Sequence, residues 1–113
     1  MVSIEHASKA LNLEVFTKPA EERLISGGYT SDLLSDVMAN ATEGGALITI
    51  QGHKNAVAVA SLVSLNAIIL CNGRQPTADM VATAQEEGIA ILGSQEDQFT
   101  VSYRLAKLLG LCN

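Results

Sequence analysis

Three apolar runs, Ala46–Ile50, Ala67–Leu70 and Ile89–Leu92, follow one another with room for one helix between each pair. The runs lack the polar–apolar alternation of a half-exposed strand, as expected for strands covered on both faces. Parallel pairing needs crossovers of a dozen or more residues, usually helical, and these are right-handed. The segments Asn55–Ser64 and Thr77–Glu87 supply them, and a last helix is expected near Gln98–Leu109. Asn55 and Thr77 are suited to N-caps, and Gly88 to the left-handed residue that ends a helix. The back half of the chain therefore reads as α/β, with the ends of its strands gathered along one edge.

The front half is less regular. Ile4, Ala7, Ala10 and Leu11 share one face of a helix over Ser3–Leu11, which Asn12 can close. Leu13–Thr17 alternates like a short strand, and Pro19 breaks the chain. Leu24 and Ile25 form another short strand within Glu22–Ser26, ended by Gly27-Gly28. Leu33, Leu34, Val37, Met38 and Ala41 then define a helix with Thr30 or Ser31 as its N-cap, stopped by Glu43-Gly44-Gly45. At that helix start, Asp32 and Asp36 are expected to complement the helix dipole. The pattern leaves the direction of the front strands open, so the sheet is expected to be mixed.

The 113 residues suit one domain, residues 1–113. Hydrophobic residues make up 48% of the chain but aromatics only 4%, so the core must be packed from Ala, Val, Ile and Leu. The longest apolar stretch, Ala56–Cys71, is interrupted by Ser61, Ser64 and Asn66 and falls short of a membrane span. The N-terminus has no basic start followed by an apolar segment, so a cytoplasmic protein is expected. Seven basic and twelve acidic residues give a net charge of −5, with the basic ones scattered, which argues against nucleic-acid binding. Cys71 and Cys112 lack metal-ligand spacing, and His6 and His53 stand far apart, so neither metal nor cofactor is expected.

Chemistry is concentrated where the apolar runs stop, at Gln51-Gly52-His53-Lys54-Asn55, Asn72-Gly73-Arg74 and Gly93-Ser94-Gln95. Open α/β proteins bind ligands outside the carboxyl ends of their strands. Helix N-termini following such turns favour anions. Arg74 adds a planar fork suited to phosphate or carboxylate. His53 can donate or accept near neutral pH, and Gln51 and Asn72 can read a base edge or an amide. Equally, Gly52, Gly73 and Gly93 can be turn residues alone, with Lys54 and Arg74 solvated. No Gly-x-x-x-x-Gly-Lys-Ser/Thr loop, Gly-x-Ser-x-Gly elbow or Gly-x-Gly-x-x-Gly fingerprint occurs, which argues against a P-loop kinase, a hydrolase of that type and a dinucleotide-dependent enzyme.

The segment Gly27-Gly28-Tyr29-Thr30-Ser31-Asp32-Leu33-Leu34-Ser35-Asp36-Val37-Met38 resembles the signature of stand-alone DRTGG-domain proteins. Thr49–Ala60, Ile68–Pro76 and Glu86–Leu92 extend the resemblance over essentially the whole chain. It implies a three-layer α/β/α sandwich with a mixed, largely parallel sheet, similar to the N-terminal domain of HPr kinase/phosphorylase. It also implies a regulatory or dimerising role rather than catalysis. Gly27, Gly28, Tyr29 and Asp32 join Gln51, His53, Asn55, Asn72, Gly73 and Arg74 as candidate ligand-binding residues. The leading expectation is a non-catalytic regulatory module, binding a nucleotide or phosphorylated small molecule at the strand ends and forming a homodimer. The alternatives are a protein–protein interaction subunit, or a small enzyme using His53 as general base beside Asp32 or Arg74.

Overall fold

The computed structural model describes residues 1–112. Seven strands and five helices occur among them, in the order β1 (Val2–Ser3), α1 (Ile4–Ala10), β2 (Glu14–Thr17), β3 (Leu24–Ile25), β4 (Gly28–Thr30), α2 (Leu34–Asn40), β5 (Ala46–Thr49), α3 (Lys54–Leu62), β6 (Ala67–Leu70), α4 (Ala78–Glu87), β7 (Ala90–Gly93) and α5 (Gln98–Leu108). The main sheet has the order β2-β7-β6-β5-β4. Strands β4 to β7 are mutually parallel, and β2 joins the far edge antiparallel to β7. A two-residue antiparallel pairing of β1 with β3 stands apart from that sheet.

Every residue of β5, β6 and β7 is buried, as their unalternating sequences require. Successive side chains still point to opposite faces. Ile48, Ile69 and Leu92 pack with Ile4 and Ala7 of α1 and Val101 and Leu105 of α5. Leu47, Ile68 and Ile91 pack on the other face with Val37 of α2, Val57 of α3 and Met80 of α4. Two aliphatic layers thus lie on the two sides of one sheet, which is the α/β/α sandwich expected from sequence. Each fully buried Leu or Ile contributes roughly 1.5–3 kcal/mol.

Helix ends follow local chemistry. Ser3, Thr77 and Asp97 cap α1, α4 and α5 through side-chain bonds to the N–H groups of His6, Met80 and Thr100. Gly88 ends α4 at a left-handed φ of 69°. Helix α3 differs from the sequence expectation. His53, not Asn55, is its N-cap residue, and the imidazole makes no capping bond. Asn55 lies in the first turn, already helical and exposed.

The glycine pair also differs. Gly27-Gly28 does not simply end β3, because Gly28 opens the edge strand β4, which pairs with β5. The space over Gly28 is narrow: a Cβ there would lie 3.2 Å from Leu105 Cδ2. Helix α2 consequently begins later, with Leu33 as an N-cap residue that supplies no side chain and neither Thr30 nor Ser31 in that position. The Ser31 hydroxyl instead accepts from the Leu33 N–H in a local turn. Asp36 lies in the first turn of α2, whereas Asp32 lies outside the helix and faces β5.

Candidate functional site

Because β5, β6 and β7 run the same way, their C-terminal loops meet at one edge. The β5–α3 and β6–α4 loops enclose an open cleft of about 300 Å³, lined by Ile50, Gln51, Gly52, His53, Arg74, Gln75 and Thr77. A backbone bond from the Thr77 N–H to the Gly52 carbonyl, 3.0 Å, ties the loops together. The approach leaves no room for a side chain at Gly52, where a Cβ would lie 2.9 Å from the Gln75 carbonyl oxygen. Glycine is needed here for closeness rather than for an unusual φ.

Donors dominate this cleft. Arg74 and His53 are both exposed on its walls. Among the three helices that start at this edge, α4 and α5 are capped by their own side chains, whereas α3 is not. The first turn of α3 therefore presents backbone N–H groups beside His53 with no side-chain acceptor, an arrangement that favours an anion.

Asp32 supports one wall. Its Oδ1 accepts from Thr49 Oγ1 at 2.8 Å, the Ile50 N–H at 2.9 Å and Gln98 Nε2 at 3.0 Å. Its backbone carbonyl accepts from Gln51 Nε2 at 2.8 Å, and the Gln51 N–H reaches Thr49 Oγ1 at 3.2 Å. Thr49 is fully buried, so its hydroxyl requires these partners. Asp32 thus holds the end of β5, the start of α5 and the Gln51 side chain in one network. Beneath it, Cys71 is buried, and its thiol is pushed up to about 11 by desolvation, with the Asp32 and Asp97 carboxylates adding to the shift.

The structure brings Gln51, His53 and Arg74 to one cleft, with Asn55 in the adjoining first turn of α3 and Asp32 behind Gln51. Asn72 and Gly73 are not among its lining residues. Both have left-handed φ values, 59° and 67°, and their N–H groups bond the carbonyls of Glu96 and Ser94 at 2.9 Å each. Those two N–H groups are thus spent on the neighbouring loop after β7 and are not free for a ligand. Gly27 lies before β4, at the opposite rim, where its carbonyl accepts from the Ala46 N–H. Gly28 packs toward Leu105. Tyr29 donates to both carboxylate oxygens of Asp36 at 2.9 Å. Gln98 was not foreseen from sequence, since nothing local marks a residue that bonds a partner 66 positions away. The polar end of the Ala46–Ile50 run, Thr49, was a visible signal of the network. Among the described residues, no group of three His, Cys, Asp or Glu side chains could hold a metal ion.

The DRTGG domain model matches residues 9–108 of the chain. The chain belongs to the DRTGG domain family. No curated protein matches it. Among solved structures it is similar to the CBS and DRTGG domains of the regulatory region of Clostridium perfringens pyrophosphatase, complexed with the activator diadenosine tetraphosphate. The TM-score is 0.69 at 15% identity, and the match covers 92% of this chain and 46% of that one. At that identity the likeness is one of fold. The chain spans about half the length of that solved structure. No helix among its described residues is long and apolar enough to cross a membrane.

Proposed function

We propose that this DRTGG domain is a regulatory module that binds a small anionic, nucleotide-like ligand in the cleft between the β5–α3 and β6–α4 loops. The observation that carries the reading is the pairing of Arg74 and His53 across a cleft bordered by the uncapped start of α3. A cation with a planar donor fork and unpaired backbone N–H groups are the chemistry that phosphate recognition uses. The complex of the pyrophosphatase regulatory region with diadenosine tetraphosphate supports the choice of nucleotides as the first ligands to test. Calorimetric titration with diadenosine tetraphosphate, adenosine mono- and diphosphate and pyrophosphate should show binding that Arg74→Ala weakens without lowering the melting temperature. Absence of binding across the set would overturn the reading.

Pairing with a second copy of the chain is the other half of the proposal. Leu33 and Phe99 are 65% and 79% exposed, and Phe99 rests on Tyr103 with ring centroids 5.9 Å apart. Large apolar side chains at that exposure are suited to burial against a partner. A second reading, a partner protein of different sequence, is favoured by the groove between α1 and α5. It is a shallow groove of about 520 Å³, lined by Ala10, Leu11, Tyr103, Arg104, Lys107 and Leu108. Light scattering on the purified chain decides between them: a monomer at working concentration rejects the homodimer.

A further inference from the structure

The orientation of the Gln51 amide can be fixed from its surroundings. Its Nε2 lies 2.8 Å from the Asp32 carbonyl oxygen, which can only accept, so the nitrogen must be the atom facing it. The amide oxygen, Oε1, is then the free end. No described residue donates to it, and no buried side-chain oxygen or nitrogen lacks a partner, so Oε1 is reachable from solvent. Gln51 itself lines the same cleft as the Arg74 guanidinium and the His53 imidazole. Asp32 is in turn held by Thr49, the Ile50 N–H and Gln98. The acceptor is therefore set in place before any ligand arrives.

We propose that Gln51, positioned by Asp32, selects ligands that carry a hydrogen-bond donor beside their anionic group, and so favours nucleotides over bare phosphates. The inference rests on the cleft being a ligand site, and it names what that site discriminates. An anion alone satisfies Arg74 and the first turn of α3 but offers the Gln51 oxygen no donor, leaving it to water. A nucleotide satisfies both, through either a ribose hydroxyl or the amino group of its base. Binding sites that hold a fixed polar group reject ligands lacking its partner, because that group is left unpaired on desolvation.

Affinities of the unmodified protein for adenosine diphosphate, its dideoxyribose analogue, inosine diphosphate and pyrophosphate test this directly. Adenosine diphosphate should bind about tenfold more tightly than pyrophosphate, the ratio expected for one added hydrogen bond. Loss of the preference with the dideoxy compound assigns the donor to the ribose. Loss with inosine diphosphate assigns it to the base amino group. Gln51→Met, similar in length but without an amide, should remove the preference, bringing the affinities for adenosine diphosphate and pyrophosphate together. Gln98→Met, at a residue that does not line the cleft, should reduce the preference in part by loosening Asp32. Equal affinity for all four compounds in the unmodified protein overturns the inference while leaving the anion site standing. Failure of all four to bind removes the site itself, and the inference with it.

Discussion

Asp32 and Gln98 stand 66 residues apart in sequence and 3.0 Å apart in space, carboxylate to amide. Through that contact the loop after β4 and the first turn of α5 are fastened to the end of β5. Asp32→Ala would strip the buried Thr49 hydroxyl and the Ile50 N–H of their acceptor at once. The expected loss is about 2 kcal/mol of unfolding free energy. Urea denaturation would measure it, and an unchanged midpoint would show that the network is dispensable.

Tyr29 and Asp36 make stability sensitive to pH at both extremes. Hydrogen bonds from Ser31, Tyr29 and Asn40 hold the Asp36 carboxyl below the usual carboxylate range. Its contribution is present above about pH 4, the unfolded value, and is lost as pH falls through the lower folded value. The Tyr29 phenol is raised above 10.0 by its hydrogen bond to Asp36, with burial and the Asp36 charge adding to the effect. That contribution is complete below about pH 10 and disappears as pH rises through the folded value. Unfolding curves recorded from pH 2 to 6 should be less steep in pH for Asp36→Asn than for the parent. Parallel curves would contradict the pairing.

The two cysteines should react very differently. Cys71 is buried with its thiol pushed up to about 11, whereas Cys112 is exposed. Thiolate is the reactive form, so an aromatic disulfide reagent at pH 8 should modify one thiol in the native protein and two after denaturation. With Cys112→Ser, native reactivity should vanish. Rapid labelling of Cys71 in that variant would mean the layer beneath Asp32 opens readily.

Gly52→Ala tests how the cleft is closed. The new methyl group would press on the Gln75 carbonyl, a backbone atom that can move only with its loop. Overpacking of this kind costs about 1–3 kcal/mol. The displacement also separates Gly52 from Thr77, so nucleotide affinity should fall along with the melting temperature. A variant as stable as the parent would show that the loops have slack.

The parallel core was legible because its strands are covered on both faces and so leave uninterrupted apolar runs in the sequence. Thr77 and Gly88 were readable as helix ends for an equally local reason, a hydroxyl before the first turn and a residue free to turn left-handed after the last. The edge strand β4 was not, since Gly28-Tyr29-Thr30 carries no apolar run and takes its conformation from pairing with β5. The strand ends do bring His53, Gln51 and Arg74 to one cleft, without the Asn72 expected beside them. They could not show that the Asn72-Gly73 turn spends its N–H groups on Glu96 and Ser94, because those bonds depend on how two loops come to rest side by side. Asp32 read as a helix-start residue because its partners lie on β5 and α5, far along the chain.

The pairing of β2 with β7 has a bearing on how the chain reaches its native state. Glu14 and Val15 have Gly93 and Leu92 as their partners, so the second strand to be synthesised waits for the last. Until then, an N-terminal portion that includes α1 has no finished sheet to lie on. Closing so wide a loop is slow compared with forming the neighbouring β5–β6 and β6–β7 pairs. Assembly is thus expected to proceed from the middle outward, with β2 fastened only at the end.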